Sequence, residues 1–522
     1  MLISTHPTFL LINNCKTSKQ LQQVHAQATT RGLMSLYPSL ILTKILYTFS
    51  LLDHLTTTSP HYPLRIFNQI PNPSTFCYNT IIRVYTLLSS PLSALSLFAK
   101  MRRLCIPPDT HTFPFVLKAS VRLRALALAK TLHSQVVKFG FGSDLFVLNS
   151  LIHVYSDLGS MTDACQLFDV TPQRDVVSYN SIIHGFVKAG NTSRARDIFD
   201  EMLVRDDVTW GTLLAGYAQM NQCKEAIQLF NQMLASGLKP NNIALVSALS
   251  ACAQLGALDQ GKIIHNHIEQ NQIRLDAFLA TGLVDMYAKC GCIDLAREVF
   301  ESSEEKKLFT WNAMIVGLAM HGDGELSLEY FRRMKEAGIK PDGVSFLGVL
   351  VGCSHAGLVN EAQQLFNDME CVYGLPRELK HYGCMADLLG RAGLIKEAIR
   401  MIQGMPMEGD VFVWGGLLGG CSIHGNVEVA EIAAKHIMQL DPEDGGVYSI
   451  MASIYAHARR WEDVAKIRRL MDARRVNKSA GCSSIQLGGV THEFVAGERL
   501  HPQIDEIYWV LDGIQRQVFE SY

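Results

Sequence analysis

The feature that most constrains this 522-residue chain is that it repeats itself. The segment NSLIHVYSDLGSMTDACQLFD begins at Asn149. Variants begin at Asn180 (NSIIHGFVKAGNTSRARDIFD), Gly211 (GTLLAGYAQMNQCKEAIQLFN), Thr281 (TGLVDMYAKCGCIDLAREVFE), Asn312 (NAMIVGLAMHGDGELSLEYFR) and Gly383 (GCMADLLGRAGLIKEAIRMIQ). The steps are 31, 31, 70, 31 and 71 residues, and YNTIIRVYTLLSSPLSALSLF places Asn79 another 70 before Asn149. Each long step hides a second, divergent unit, following Asp109, Asn241 and Asp342. Self-similarity at this period marks stacked repeats, because a chain this long exceeds one ordinary globular core.

Each unit shows apolar residues at helical spacing, a glycine break (Gly190, Gly291, Gly322) and a second apolar-periodic run. Many then close on a Gly-x-x-Pro-Asp/Asn turn, as from Gly237 to Asn241 and from Gly338 to Asp342. That pattern predicts two antiparallel helices per unit. One helix pair cannot bury its own apolar face, whereas stacked pairs share a continuous core, so the predicted fold is all-α, an α-solenoid with a long groove.

Hydrophobic residues make up 48% of the chain, charged residues 18%, and the formal net charge is -2, which argues for packed structure and against disorder. Residues 1–108 nevertheless hold nine Lys or Arg and one acid, Asp53. That composition suits an organelle transit segment, and equally a surface that meets phosphate. The long uncharged stretches 66–82 and 84–99 carry Pro and polar groups and do not read as membrane spans. Among the 13 cysteines no Cys-x-x-Cys occurs, so they read as small reduced residues of buried helix faces.

Units of 35 or 36 and 31 residues, opened by YN or WN and closed by KP-D/N, resemble the plant pentatricopeptide repeat family in its PLS subclass. On that resemblance P units fall at 75–109, 207–241 and 308–342, and L units at 110–144, 242–276 and 343–378. S units fall at 145–175, 176–206, 277–307 and 379–410. Residues 1–74 are read as a short targeting segment overlapping a degenerate L and S pair at 7–74, ahead of the repeat array at 75–410. Beyond it, VWGGLLGGCSIHGNVEVAEIAAKHIMQLDPED and the text that follows resemble the E extension (411–478) and E+ tail (479–522) of organellar RNA-editing factors. The resemblance implies a right-handed solenoid of helix-turn-helix repeats, with no DYW cytidine-deaminase domain expected.

A zinc deaminase needs a His-x-Glu and a downstream Cys-x-x-Cys. The one His-x-Glu, at His267 and Glu269, sits in a repeat helix without the cysteine pair, and His492-Glu493 lacks the spacing. No metal, cofactor or catalytic residue is therefore expected, and the chain is not read as an enzyme.

In the resembled family each repeat reads about one base, through the fifth residue of its first helix and the last residue of the repeat, with an apolar second residue sandwiching the base. An amide at position five can meet a Watson-Crick edge, and an apolar side chain can hold the ring. Carried onto this chain, the base-reading pairs are Asn79 with Asp109, Asn149 with Asp175, Asn180 with Asp206, and Asn312 with Asp342, a combination that in the family prefers uracil. The sandwiching residues are Phe76, Phe146, Val177, Val208, Phe278 and Phe309. The ordinary duty of Asn and Asp at such places is to cap helices and finish turns. Gly211 with Asn241, Thr281 with Lys307, and Gly383 with Asp410 would read weakly or not at all, as would L units with Pro114, Val246 or Leu347 at position five. Trp210, Trp311, Trp414 and Trp461 read as core residues, with base stacking the other option. Arg468, Arg469, Arg474, Arg475 and Lys478 read as a solvated helix face, with phosphate contact the other option.

The resemblance thus implies an adaptor that binds single-stranded organellar RNA and selects a cytidine for C-to-U editing. Its partners would be a trans-acting DYW-type cytidine deaminase and other organellar editing factors, and its place the mitochondrion or, alternatively, the chloroplast. An RNA splicing or stability factor is a second reading. A protein-interaction solenoid of the tetratricopeptide type is a third, against which the 31-residue units and recurring Asn/Asp pairs weigh.

Overall fold

The computed structural model describes residues 7–33, 37–52, 61–478, 480–487 and 490–520. The start of the expected targeting segment, residues 1–6, lies outside these, as do residues 34–36 and 53–60 within the degenerate pair. The chain divides into two compact bodies, Met1–Ala244 and Leu245–Tyr522.

In the amino-terminal body the helices alternate as the periodicity predicts. The first helices of successive repeats are Thr75–Leu87, Thr112–Arg122, Leu145–Asp157, Val176–Lys188 and Asp207–Gln219. Their second helices are Pro91–Arg103, Leu126–Lys138, Met161–Val170, Thr192–Glu201 and Cys223–Ala235. Ahead of them, Pro7–Asn13 with Ser18–Thr30 and Pro38–Phe49 with His61–Gln69 form two further pairs, in the places read as degenerate repeats. In the carboxyl-terminal body the alternation continues from Leu258–Gln270 to Ile395–Gln403. Two more pairs follow, Val411–His424 with Val427–Leu440 and Gly445–His457 with Trp461–Ala473. To this the tail adds an antiparallel hairpin, β1 (Cys482–Leu487) and β2 (Val490–Val495), and the helix Ile504–Glu520.

The short repeats lose three of their four missing residues from the second helix. In S units it has 10 residues (Met161–Val170, Thr192–Glu201, Ile293–Ser302) against 13 in Pro91–Arg103 and Cys223–Ala235, a difference of about one helical turn. A basic side chain seals the shortened end. Arg174 Nε donates to Phe168 O at 2.9 Å, with its guanidinium 4.3 Å from the Phe168 ring centre. Arg205 does the same at Phe199 (2.9 and 4.7 Å). The Phe168 and Phe199 carbonyls, which accept from Thr171 N and Met202 N at 3.3 Å, thereby gain a second donor.

The same phenylalanines join one repeat to the next. The fourth residue of the following first helix meets each of them edge-on: Tyr179 on Phe168 at 5.2 Å, Trp210 on Phe199 at 4.8 Å, and Trp311 on Phe300 at 4.8 Å. Trp210 and Trp311 are accordingly buried, as read from the sequence. Trp461 corrects that reading. It opens the second helix of the last repeat-like pair, not the fourth position of a first helix, and 65% of its surface is exposed. Trp414 is half-buried, stacked on His436 at 4.1 Å.

Candidate nucleic-acid interface

Position five of each first helix lies one turn from the helix start, and the repeat's last residue sits at the start of the next first helix. The two therefore meet across the repeat boundary. In all four expected pairs the amide Nδ2 donates to the carboxylate Oδ1: Asn79 to Asp109 at 2.8 Å, Asn149 to Asp175 at 3.0 Å, Asn180 to Asp206 at 3.1 Å, and Asn312 to Asp342 at 3.1 Å. The asparagines are buried or half-buried, and the aspartates half-buried except for exposed Asp175.

The capping duty is present as well. Oδ1 of Asp175, Asp206 and Asp342 also accepts the third N–H of the next helix, at 2.8, 2.8 and 2.9 Å, and Oδ1 of Asp109 accepts from Thr112 N at 2.9 Å. Capping and pairing thus share one oxygen. Burial raises the carboxyl pKa of Asp175, Asp206 and Asp342, but the hydrogen bonds from Ser178, Thr209 and Ser345 and from the paired asparagines outweigh it, holding all three below the ordinary value. Each of these three pairs is therefore an amide hydrogen-bonded to an ionised carboxylate.

The second residues flank these pairs as exposed apolar side chains. Phe76, Phe146, Val177, Val208 and Phe278 are between 50% and 60% exposed. Phe309 is half-buried, because its ring stacks on Phe278 at 4.8 Å and 19°. The same register holds Ile243, Val344 and Phe412, also exposed. These three lie in L units and at the start of the E extension, where no sandwiching residue was assigned. The signal that finds them is register alone.

The weak pairs behave differently. Opposite Gly211, Asn241 turns its Nδ2 to Asp207, at 3.1 Å from Oδ2. Thr281 donates to Ala277 O at 2.6 Å, while Lys307 pairs with Glu305 at 3.0 Å. Opposite Gly383, Asp410 caps the next helix through Val413 N at 3.0 Å, and the Phe412 ring fills the space a side chain at 383 would take.

One unforeseen cluster of metal-ligating types lies among the described residues: the ligand atoms of His153, Asp157 and His184 fall within 4.8 Å of one another. The histidines come from successive repeats, so no local spacing announces the group. Lys188 Nζ already donates to Asp157 Oδ1 at 2.7 Å, placing an ammonium where a cation would have to bind.

The chain is 56% identical over 488 residues to a pentatricopeptide repeat-containing protein of Arabidopsis thaliana, covering 91% of this chain and 98% of the relative. The chain belongs to the pentatricopeptide repeat family. A second Arabidopsis thaliana pentatricopeptide repeat-containing protein is 47% identical, over 96% of this chain and 80% of its own. A third, whose name adds "chloroplastic", is 40% identical, over 98% and 83%. Profiles described as PPR repeat match residues 76–106, 146–174, 172–203, 279–308, 309–339, 344–371 and 380–410, and one described as PPR repeat family matches 205–254. The profile described as E motif matches 424–486. The chain is therefore a plant-type pentatricopeptide repeat protein with an E-type carboxyl extension. Among solved structures it is similar to pentatricopeptide repeat protein PPR10 from maize, at 16% identity and TM-score 0.43 over 90% of this chain and 84% of that one, too loose a likeness to speak to function.

Proposed function

We propose that this protein is a sequence-specific adaptor for single-stranded RNA, in which the four Asn/Asp pairs read bases and the exposed second residues sandwich them. The observation that carries the reading is the fourfold recurrence, in register, of an amide bonded to an aspartate carboxylate beside an exposed or half-buried apolar side chain. Bare capping needs only the aspartate, and it is the asparagine that makes the arrangement a recognition edge. The repeat array (75–410) binds the RNA, and the E extension (411–478) and E+ tail (479–522) recruit a DYW-type cytidine deaminase in trans, with other organellar editing factors, so that one cytidine becomes uridine. The compartment we assign is the mitochondrion, with the chloroplast as the alternative that a fluorescent fusion would reveal.

Binding of the full chain to labelled single-stranded RNA carrying uracil at the four read positions tests the core of this. Asn180→Ala and Asn312→Ala should each lower affinity and flatten the preference at one position. Unchanged affinity and selectivity in both would point instead to a protein scaffold. For the editing step, organellar transcripts from a plant lacking the protein should hold at least one unedited cytidine. Intact editing with altered introns or transcript ends would replace it with a splicing or stability role.

A further inference from the structure

The paired asparagines have a further partner, contributed by the third residue of the next repeat. Thr112 Oγ1 lies 2.7 Å from Asn79 Oδ1 and 3.0 Å from Asp109 Oδ1. Ser178 Oγ lies 2.6 Å from Asn149 and 2.9 Å from Asp175, and Ser345 Oγ lies 2.5 Å from Asn312 and 3.0 Å from Asp342. All three hydroxyl residues are completely buried. A hydroxyl has one proton to donate, and the shorter separation gives it to the amide oxygen. At the fourth pair the proton goes elsewhere: Thr209 Oγ1 donates to Asp206 at 2.7 Å, and Asn180 Oδ1 is buried with no hydrogen-bond partner.

The hydroxyl follows residue five and not the cap. Asn79, Asn149, Asn180, Thr281 and Asn312 are followed in the next repeat by Thr112, Ser178, Thr209, Thr310 and Ser345. Pro114, Gly211, Val246 and Gly383 are followed by Val147, Ala244, Leu279 and Val413. Asp144, Asp276 and Asp410 cap their helices ahead of Val147, Leu279 and Val413 at 3.0, 2.8 and 3.0 Å with no hydroxyl present. The exception is His381 after Leu347, whose imidazole bonds to Gly343 O at 2.8 Å and to Glu378 N at 3.0 Å.

We infer that the buried hydroxyl at the third position of the following repeat is a positioning residue for base reading, acting through the asparagine. With Oδ1 held by the hydroxyl and one Nδ2 hydrogen held by the aspartate, the amide cannot turn over. It presents its remaining N–H, a donor, and so selects a base that offers a carbonyl at its edge over one that offers an amino group. The Asn180 amide lacks this lock, so its base should be the least strictly chosen of the four. The inference rests on the RNA-reading proposal.

The test is the dissociation constant of the full chain for RNA with uracil, then cytosine, at each read position. Ser345→Ala should reduce the uracil preference at the Asn312 position about threefold to tenfold, the scale of one buried hydrogen bond, and leave the Asn149 position unchanged. Ser345→Thr should retain the preference, and thermal melting reports any general loss of fold. Asn312→Ala separates the two ideas. If it leaves the preference intact, base reading fails and this inference falls with it. If it abolishes the preference while Ser345→Ala keeps it whole, or if the Asn180 position discriminates as sharply as the others, the positioning role is overturned.

Discussion

Two repeat boundaries in the carboxyl-terminal body start from the same device and end differently. At the first, Asp342 accepts the third N–H of the helix Gly343–Ala356 at 2.9 Å, and at the second, Asp410 does the same for Val411–His424 at 3.0 Å. Across the first boundary stand Asn312 and Ser345, so the carboxylate also holds an oriented amide. Across the second stand Gly383 and Val413, and the Phe412 ring closes over the missing side chain. An aspartate at the end of a repeat is therefore evidence of a helix start. Only the asparagine and hydroxyl around it build the hydrogen-bonded edge that we propose reads a base.

The comparison can be broken most forcefully through the backbone. At the second boundary the first helices approach glycine to glycine, and a Cβ at Gly420 would collide with the backbone of Gly390. At the first, a Cβ at Gly348 meets the Val316 side chain, at 2.9 Å, which can move. Gly420→Ala should cost about 1–3 kcal/mol in chemical denaturation, and Gly348→Ala clearly less. Equal losses would mean that the close approach is not what separates the two boundaries.

Removing the shared cap comes next in size. Asp342→Ala and Asp410→Ala should each destabilise by about 1 kcal/mol, the usual value of an N-cap, yet only Asp342→Ala should change RNA base preference. A base-preference change in both would show that Asp410 also reads.

Acid should expose the first boundary. Asp342 is held below its ordinary carboxyl value of 3.8 because hydrogen bonds from Ser345 and Asn312 outweigh its burial. A depressed folded-state pKa adds stability that is complete above the unfolded value and disappears as pH falls through the folded one. The stability gap between the wild-type protein and Asp342→Asn, followed by denaturation at stepped pH, should therefore be constant above about pH 5 and shrink below 3.8. A gap that narrows between pH 5 and 7 would contradict this.

The smallest effect is at Phe412, which is 60% exposed. Phe412→Ala should change stability by no more than about 0.5 kcal/mol. It should also make room at position 383, so that Gly383→Ala is costly in the wild-type background and nearly neutral beside Phe412→Ala. Additive effects in that double-mutant cycle would show that the ring does not occupy the slot.

Most of the architecture was legible in the chain because helix pairs write themselves as a period. Gly190, Gly291 and Gly322 sit at the breaks with φ of 76, 85 and 82°, in the left-handed region that glycine adopts without strain. The four Asn/Asp pairs were legible through register, since a period that aligns helices also aligns the residues that meet across them. Less visible were the exposed position of Trp461, which depends on what packs against the start of its helix, and the cluster of His153, Asp157 and His184, which depends on how adjacent repeats pack.

What the sequence alone determined, then, is the repeating helix pair and the residues that face each other at every boundary, because both are consequences of spacing along the chain. What only the tertiary structure decided is the direction of single protons and the filling of single gaps. Thr112, Ser178 and Ser345 turn toward an amide while Thr209 turns toward a carboxylate, and Phe412 closes over Gly383. Hydrogen bonds and van der Waals contacts respond to differences of a few tenths of an ångström, and such differences are set by packing in three dimensions.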